Sequence, residues 1–240
     1  MRVLITNDDG IRGEGLRILA EFAQKQAEIV IAAPKSEKSA CSQGIVLKRP
    51  FSCVKSDLFK DLGIEAYEVD STPADCVRIA ADLYGPFDLV LSGINNGLNT
   101  GHFINYSGTC AAAFEAAAIG IPAVALSTYA GRLPEVVPDL PRILAYFKEH
   151  RLMEKHSLYN VNIAPGFRDF MITRTEPAFC HDNFIPTGEN EYLAALDLSE
   201  WEHRQLDLRY DMEALFAGYC SVTPLTTERT DVGVYEKLKG

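Results

Sequence analysis

Short apolar runs that stop at a polar loop and reopen as a helix recur through the first two thirds of the chain. Residues 2 to 6 read as a buried strand, and Glu14 to Ala27 carries Leu16, Leu19, Ala20 and Ala23 at helical spacing. Ile29 to Ala33 is the next apolar run; it halts at Pro34, before the polar loop Lys35 to Gly44. Val46 to Val54 and Glu65 to Val69 are expected as strands. Thr72-Pro73-Ala74-Asp75 puts a capping hydroxyl before a proline at the first helical position and opens a helix through Leu83. Asp88 to Leu91 is a short strand expected to end at SGINNGLNTG, where Gly and Asn favour a loop. Ser107-Gly108-Thr109 precedes the Ala-rich helix CAAAFEAAA, Ala123 to Leu126 is the next strand, and Leu140 to His150 a further helix. Parallel neighbours need a crossover, and crossover helices lie on the sheet. The alternation therefore predicts an α/β fold with a mostly parallel sheet covered on both faces.

After Leu158 to Ile163 the pattern changes. Met171 to Arg174, Tyr192 to Leu196 and Tyr219 to Thr223 read as short strands separated by irregular polar stretches. An extension containing a β-hairpin is expected at roughly 164–211, and a polar tail or exchanged arm at roughly 226–240. With no linker, repeat or low-complexity segment, residues 1–240 are expected to form a single domain. No run approaches the roughly 18 apolar residues of a membrane span, and the opening MRVLITNDDG lacks a signal-peptide core. A cytoplasmic protein with no membrane partner is the expectation. The six cysteines form no C-x-x-C pair and read as free thiols. A net charge of -10 disfavours binding to a nucleic acid polymer, but leaves room for a small anionic substrate where local positive charge prevails.

In open parallel sheets, ligands gather outside the carboxyl ends of the strands. Asp8 and Asp9 follow the first strand, Ser36, Ser39 and Ser42 the second, and Asn95, Asn96 and Asn99 follow DLVLSGI. Ser107 to Thr109 start a helix, where free N–H groups and the positive dipole end favour a phosphate. Gly10, Gly13 and Gly15 are in the wrong order for a dinucleotide fingerprint, and carboxylates in their place would repel pyrophosphate. A divalent cation removes that conflict, because it binds the carboxylates and turns positive charge toward the substrate. Oxygen donors without a His or Cys cluster point to Mg²⁺, Mn²⁺ or Ca²⁺ before Zn²⁺. Read singly, an acid pair caps a helix, a Ser-rich loop is a surface turn, and Asn supplies left-handed turns. All four features fall on one edge of the sheet. Asp75 reads as a helix-orienting group, His102 and His181 as structural or exposed before catalytic, and Lys35, Lys38 and Arg78 as candidate counter-charges.

At these residues the chain resembles the SurE family of survival-protein acid phosphatases and nucleotidases. NDDG at Asn7 to Gly10, the loop ending at Ser39, TPADCV at Thr72 to Val77, SGINNGLNTG at Ser92 to Gly101, YSGTCAAAFEA at Tyr106 to Ala116 and GYCSVTPL at Gly218 to Leu225 match its pattern in order. The resemblance implies a three-layer α/β/α Rossmann-like fold with one divalent cation per subunit, Mg²⁺ or Mn²⁺ ahead of Ca²⁺. It implies metal ligation by Asp8, Asp9, Ser39 and Asn95, with Asp8 and Asp9 catalytic, and phosphate contacts from Asn96, Ser107, Gly108 and Thr109. The implied activity is hydrolysis of nucleoside 5′- or 3′-monophosphates and of short polyphosphate, by a homodimer or homotetramer. Ala40 stands where the family has Gly after the Ser, Ser71 where Gly is common before Thr-Pro, and 176–211 matches poorly. Two other readings of the acid pair are a non-enzymatic metal-dependent regulatory module and a nucleotide-binding or glycosyl-transfer protein. The chain is longer than a receiver domain, and Asp57 lies in no convincing strand.

Overall fold

The structure, a computed structural model, describes residues 1–177, 181–197 and 207–239. In chain order the strands and helices are β1 (Arg2–Thr6), α1 (Glu14–Ala23), β2 (Glu28–Pro34), β3 (Cys53–Ser56), β4 (Glu65–Val69), α2 (Pro73–Tyr84), β5 (Leu89–Asn96), α3 (Gly108–Ala118) and β6 (Ala123–Thr128). There follow α4 (Leu140–Glu149), α5 (Leu152–Lys155), β7 (Leu158–Ile163), β8 (Phe170–Ile172), β9 (His181–Gly188), β10 (Glu191–Asp197), α6 (Asp211–Phe216), β11 (Cys220–Pro224) and α7 (Val232–Leu238).

Nine strands form one sheet in the order β3-β4-β2-β1-β5-β6-β7-β11-β8, in which β4 through β7 run parallel and β3 and β11 are antiparallel to their neighbours β4 and β7. The side-chain period of two splits each inner strand between two cores. Val3 and Ile5 of β1 join Leu16 and Leu19 of α1 and Leu140 and Ile143 of α4 on one face. Leu4 joins Val77 and Ala80 of α2 and Ala112 and Ala116 of α3 on the other. This is the three-layer α/β/α arrangement. No helix among the described residues is long and apolar enough to cross a membrane.

The capping expected at Thr72 is present: its hydroxyl accepts from the N–H of Asp75, with Pro73 opening α2. Three expectations need correction. The strand expected at Val46 to Val54 is reduced to Cys53–Ser56; Pro50 offers no ladder N–H, and Val46 donates its own to the Asp75 carboxylate at 2.9 Å. The strand expected to stop at Leu91 continues to Asn96. Its ladder breaks between Ser92 and Asn95, across Gly93 at a φ of 132°, and resumes with Asn95 opposite Ser127 and Asn96 opposite Thr128. A Gly- and Asn-rich stretch thus forms an irregular strand end, because neighbouring β6 offers pairing partners that composition does not reveal. Third, the strand at Phe170–Ile172 belongs to the main sheet, and only β9 and β10 form the separate antiparallel hairpin. The tail carries a short exposed helix, α7.

Sheet order places the site. The chain leaves β1 through α1 on one face to reach β2, and leaves β5 through α3 on the other face to reach β6. Adjacent strands whose connections depart to opposite faces leave a crevice beyond their carboxyl ends. Those ends are Thr6, followed by the acid pair, and Asn96.

Candidate active site

Asp8 is 4% exposed, and Thr109 donates its hydroxyl to one carboxylate oxygen. The backbone N–H groups of Gly108 and Thr109 also point at it; even so, burial dominates and raises the Asp8 pKa above the ordinary value. Asp9 is half-buried. Burial first, then the negative charge of Asp8, push it up to about 6, with the N–H of Asn96 acting in the opposite direction and Glu37 adding to the rise. Among the described residues neither acid has a Lys, Arg or His partner in a salt bridge.

Backbone hydrogen bonds lace the loops together. Lys38 N–H donates to the Asp8 carbonyl at 2.7 Å, Ile11 N–H to Pro34 at 2.7 Å, and Ser42 N–H to Tyr106 at 2.9 Å. The loop after β2 is thereby fixed against both the acid pair and the segment entering α3. The Ser107 hydroxyl caps α3, accepting from Cys110 N–H at 3.0 Å. Gly108 sits so close that an added Cβ would lie 2.7 Å from the Asp8 Cβ and 3.1 Å from the Cys41 sulfur. Only a residue without a side chain lets the α3 N-terminus approach the carboxylate this closely.

The two asparagines at the end of β5 are oriented oppositely. Asn95 donates its side-chain nitrogen to the Gly97 carbonyl at 2.7 Å, which leaves its oxygen available. Asn96 accepts at its side-chain oxygen from Gly131 N–H at 2.8 Å, which leaves its NH₂ to donate. Ser39, exposed, gives its proton to Glu37 at 2.6 Å and keeps hydroxyl lone pairs to offer. Among the described residues no three His, Cys, Asp or Glu side chains converge as metal ligands. The neutral oxygens of the Asn95 amide and the Ser39 hydroxyl lie on the strand end and the loop beside the acid pair. Two carboxylates raised by burial, Asp9 also by the charge of Asp8, with neutral oxygens nearby and no cationic side chain paired to them among the described residues, suit a hard divalent ion.

Other candidates go elsewhere. Asn99 is structural: its amide donates to Ser127 at 2.8 Å, while its carbonyl accepts from Asn160 and Asn162 at 2.7 and 2.9 Å. Asp75, 1% exposed, accepts from Ser71 at 2.6 Å and from Val46, and pairs with Arg78. Arg78 is therefore committed to Asp75 and, at 3.6 Å, to Glu115. His102 stacks on Phe103, 4.4 Å between ring centroids. The His181 side chain lies outside the described residues.

Sequence reasoning missed three contributors. Asn7, fully buried, donates to the Gly10 carbonyl at 2.9 Å and shapes the turn carrying the acids; its place directly before the acid pair was the available signal. Cys41 carries none. The third is Arg229, which lines a cavity of about 440 Å³ bordered by Cys41 and Ser107 and walled by Gln43, Asn105 and Phe114. Its position 186 residues after Gln43, toward whose side-chain oxygen it points at 3.5 Å, gives no local cue.

Fold and site define an α/β protein in which a helix N-terminus is set against two adjacent carboxylates at a topological switch point. The family model described as Survival protein SurE matches residues 3–181. The 5'-nucleotidase SurE of Campylobacter jejuni subsp. jejuni serotype O:6 is 38% identical, the match covering 99% of this chain and 95% of that protein. The 5'-nucleotidase SurE 1 of Thermus thermophilus is 36% identical over 100% of this chain and 97% of its own. The crystal structure of the SurE protein from Aquifex aeolicus superposes with a TM-score of 0.83 at 28% identity, covering 100% of this chain and 98% of that one. The chain belongs to the SurE family.

Proposed function

We propose that this protein is a divalent-cation-dependent phosphomonoesterase that hydrolyses nucleoside 5′-monophosphates, and also 3′-monophosphates and short polyphosphate, releasing inorganic phosphate. The carrying observation is the pair Asp8 and Asp9, with no protein counter-charge among the described residues, set against the N-terminus of α3. Relatives along nearly the whole chain bear the name 5'-nucleotidase, which supports the nucleotide as substrate.

Asp8, Asp9, Ser39 and Asn95 would hold the cation, Mg²⁺ or Mn²⁺ ahead of Ca²⁺. When bound, it supplies Lewis-acid polarisation of the phosphoryl group and offsets the carboxylate charge. The chain's own groups do the remainder. The Asn96 NH₂, free to donate, and the Ser107 hydroxyl orient the equatorial phosphoryl oxygens. Gly108 and Thr109 N–H groups and the α3 dipole stabilise charge on them. Phosphoryl transfer requires chiefly positioning and charge stabilisation, so this set suffices without a Ser-His-Asp triad. The cavity beyond Ser107, with the Phe114 ring and the amides of Gln43 and Asn105, suits a nucleoside held at its 5′ or 3′ phosphate.

A homodimer or homotetramer is supported by apolar side chains exposed on β9 and β10, Phe184, Ile185, Tyr192 and Leu193, and by Leu238 of α7, since a two-stranded ribbon is marginal without cover. The deciding experiment measures phosphate release from nucleoside monophosphates with Mg²⁺ or Mn²⁺, after chelation, and in Asp8→Asn and Asp9→Asn. Turnover should require the cation and fall by at least about a hundredfold in either variant. Undiminished hydrolysis in both removes the acid pair from the mechanism, and cation binding without turnover on any monophosphate would favour a regulatory module.

A further inference from the structure

A second cavity lies on the other side of the molecule from α3, with no residue in common with the acid site. Protein interiors are packed to crystal density, with few voids larger than a water molecule. Here about 380 Å³ stays open between α1 and α4, within the size range of small-molecule sites. Its floor is the sheet itself, through Val3 of β1, Leu91 of β5 and Val124 of β6. Phe22 of α1 and Leu144 and Phe147 of α4 make the walls. From Val3 to Asp8 is roughly 16 Å of extended chain, so an occupant here does not touch the catalytic end of β1.

The rim is not apolar. Lys148, Arg151 and Glu154 border the opening in a chain whose net charge is -10. Arg151 is committed to Glu154, Nε to Oε1 at 2.9 Å. Lys148 makes no ion pair among the described residues. We infer that this cavity is a binding site for one long-chain carboxylate, a free fatty acid, with its aliphatic chain along the face of β1, β5 and β6 and its carboxylate at Lys148. A carbon-lined space of this volume matches a single acyl chain. The cation at the mouth selects an acid over a neutral lipid. Each buried methylene contributes about 0.8 kcal/mol, so the chain supplies the affinity and the ion pair the selectivity.

The test is equilibrium titration of the full-length protein with cis-parinaric acid, followed by its fluorescence below the micellar range, and competition by oleate and by oleyl alcohol. One saturable site per chain is expected, with oleate displacing the probe at least about fivefold better than the alcohol. Lys148→Glu, at an exposed position, should weaken oleate about fivefold or more and leave the alcohol unchanged. Ala27→Trp, half-buried at the edge of the cavity, should block both ligands; if it does not fold, Lys148→Glu decides. Absence of saturable binding, equal displacement by acid and alcohol, or binding unchanged in folded Ala27→Trp or in Lys148→Glu would overturn the assignment.

Discussion

Replacing Asp9 by Asn should stabilise the protein without cation and abolish the stabilisation that cation confers. A carboxyl whose pKa rises on folding binds its proton more tightly in the native state. Its contribution therefore turns unfavourable as pH rises from the unfolded value of 3.8 through the folded value of about 6, and stays so above it. That interval corresponds to about 3 kcal/mol at 1.36 kcal/mol for each pH unit. Because Asp9 is only half-buried, solvent screening lowers the figure to about 1–1.5 kcal/mol. Asn keeps the shape and the hydrogen-bonding oxygen without the charge. At pH 8 in EDTA, Asp9→Asn should melt about 2–6 °C above wild type for a chain of this size, and the two should converge near pH 4. Excess Mg²⁺ or Mn²⁺ at 100 times its Kd adds about 2.7 kcal/mol to wild type, about 5–11 °C, and little to the variant. The order of melting temperatures should thus reverse when cation is added. A variant less stable than wild type in EDTA at pH 8, or one that keeps the full cation-dependent rise, refutes the account of an uncompensated acid pair.

Protons and cation compete for the same carboxylates, so cation affinity, measured by titration calorimetry, should fall as pH drops through about 6 and be flat above pH 8. Gly108→Ala places a Cβ 2.7 Å from the Asp8 Cβ; activity should drop at least about tenfold, with the unfolding free energy from chemical denaturation lowered by no more than about 1–3 kcal/mol. Gly15→Ala is expected to do the reverse. Its Cβ would meet the Ile94 carbonyl oxygen at 1.9 Å, forcing α1 off β5, and chemical denaturation should show a loss of about 2–4 kcal/mol. Asn95→Ala, which removes a neutral oxygen from the proposed ligand set, should raise the cation concentration for half-maximal activity while its unfolding free energy in EDTA, from chemical denaturation, stays within about 1 kcal/mol of wild type.

The sequence by itself determined the alternation of strands and helices, because periodicity and capping are local: apolar runs bounded by Pro34, the Thr72-Pro73 start of α2 and the Ser107 cap of α3 all occur where residue type demands them. It also marked the acid pair and the loops that surround it, since two adjacent carboxylates after a buried strand need a compensating charge. Tertiary structure decided what depends on neighbours. β5 runs on through Gly93 to Asn96 because β6 offers a ladder there, and the 46–52 segment stays irregular because the buried Asp75 takes the N–H of Val46. Asn95, Asn96 and Asn99 look alike in the chain. The Gly97 carbonyl, the Gly131 N–H and the asparagines of β7 give them three different tasks. Arg229 and the cavity between α1 and α4 had no local signature, because each arises from segments far apart in the chain that only the fold brings together.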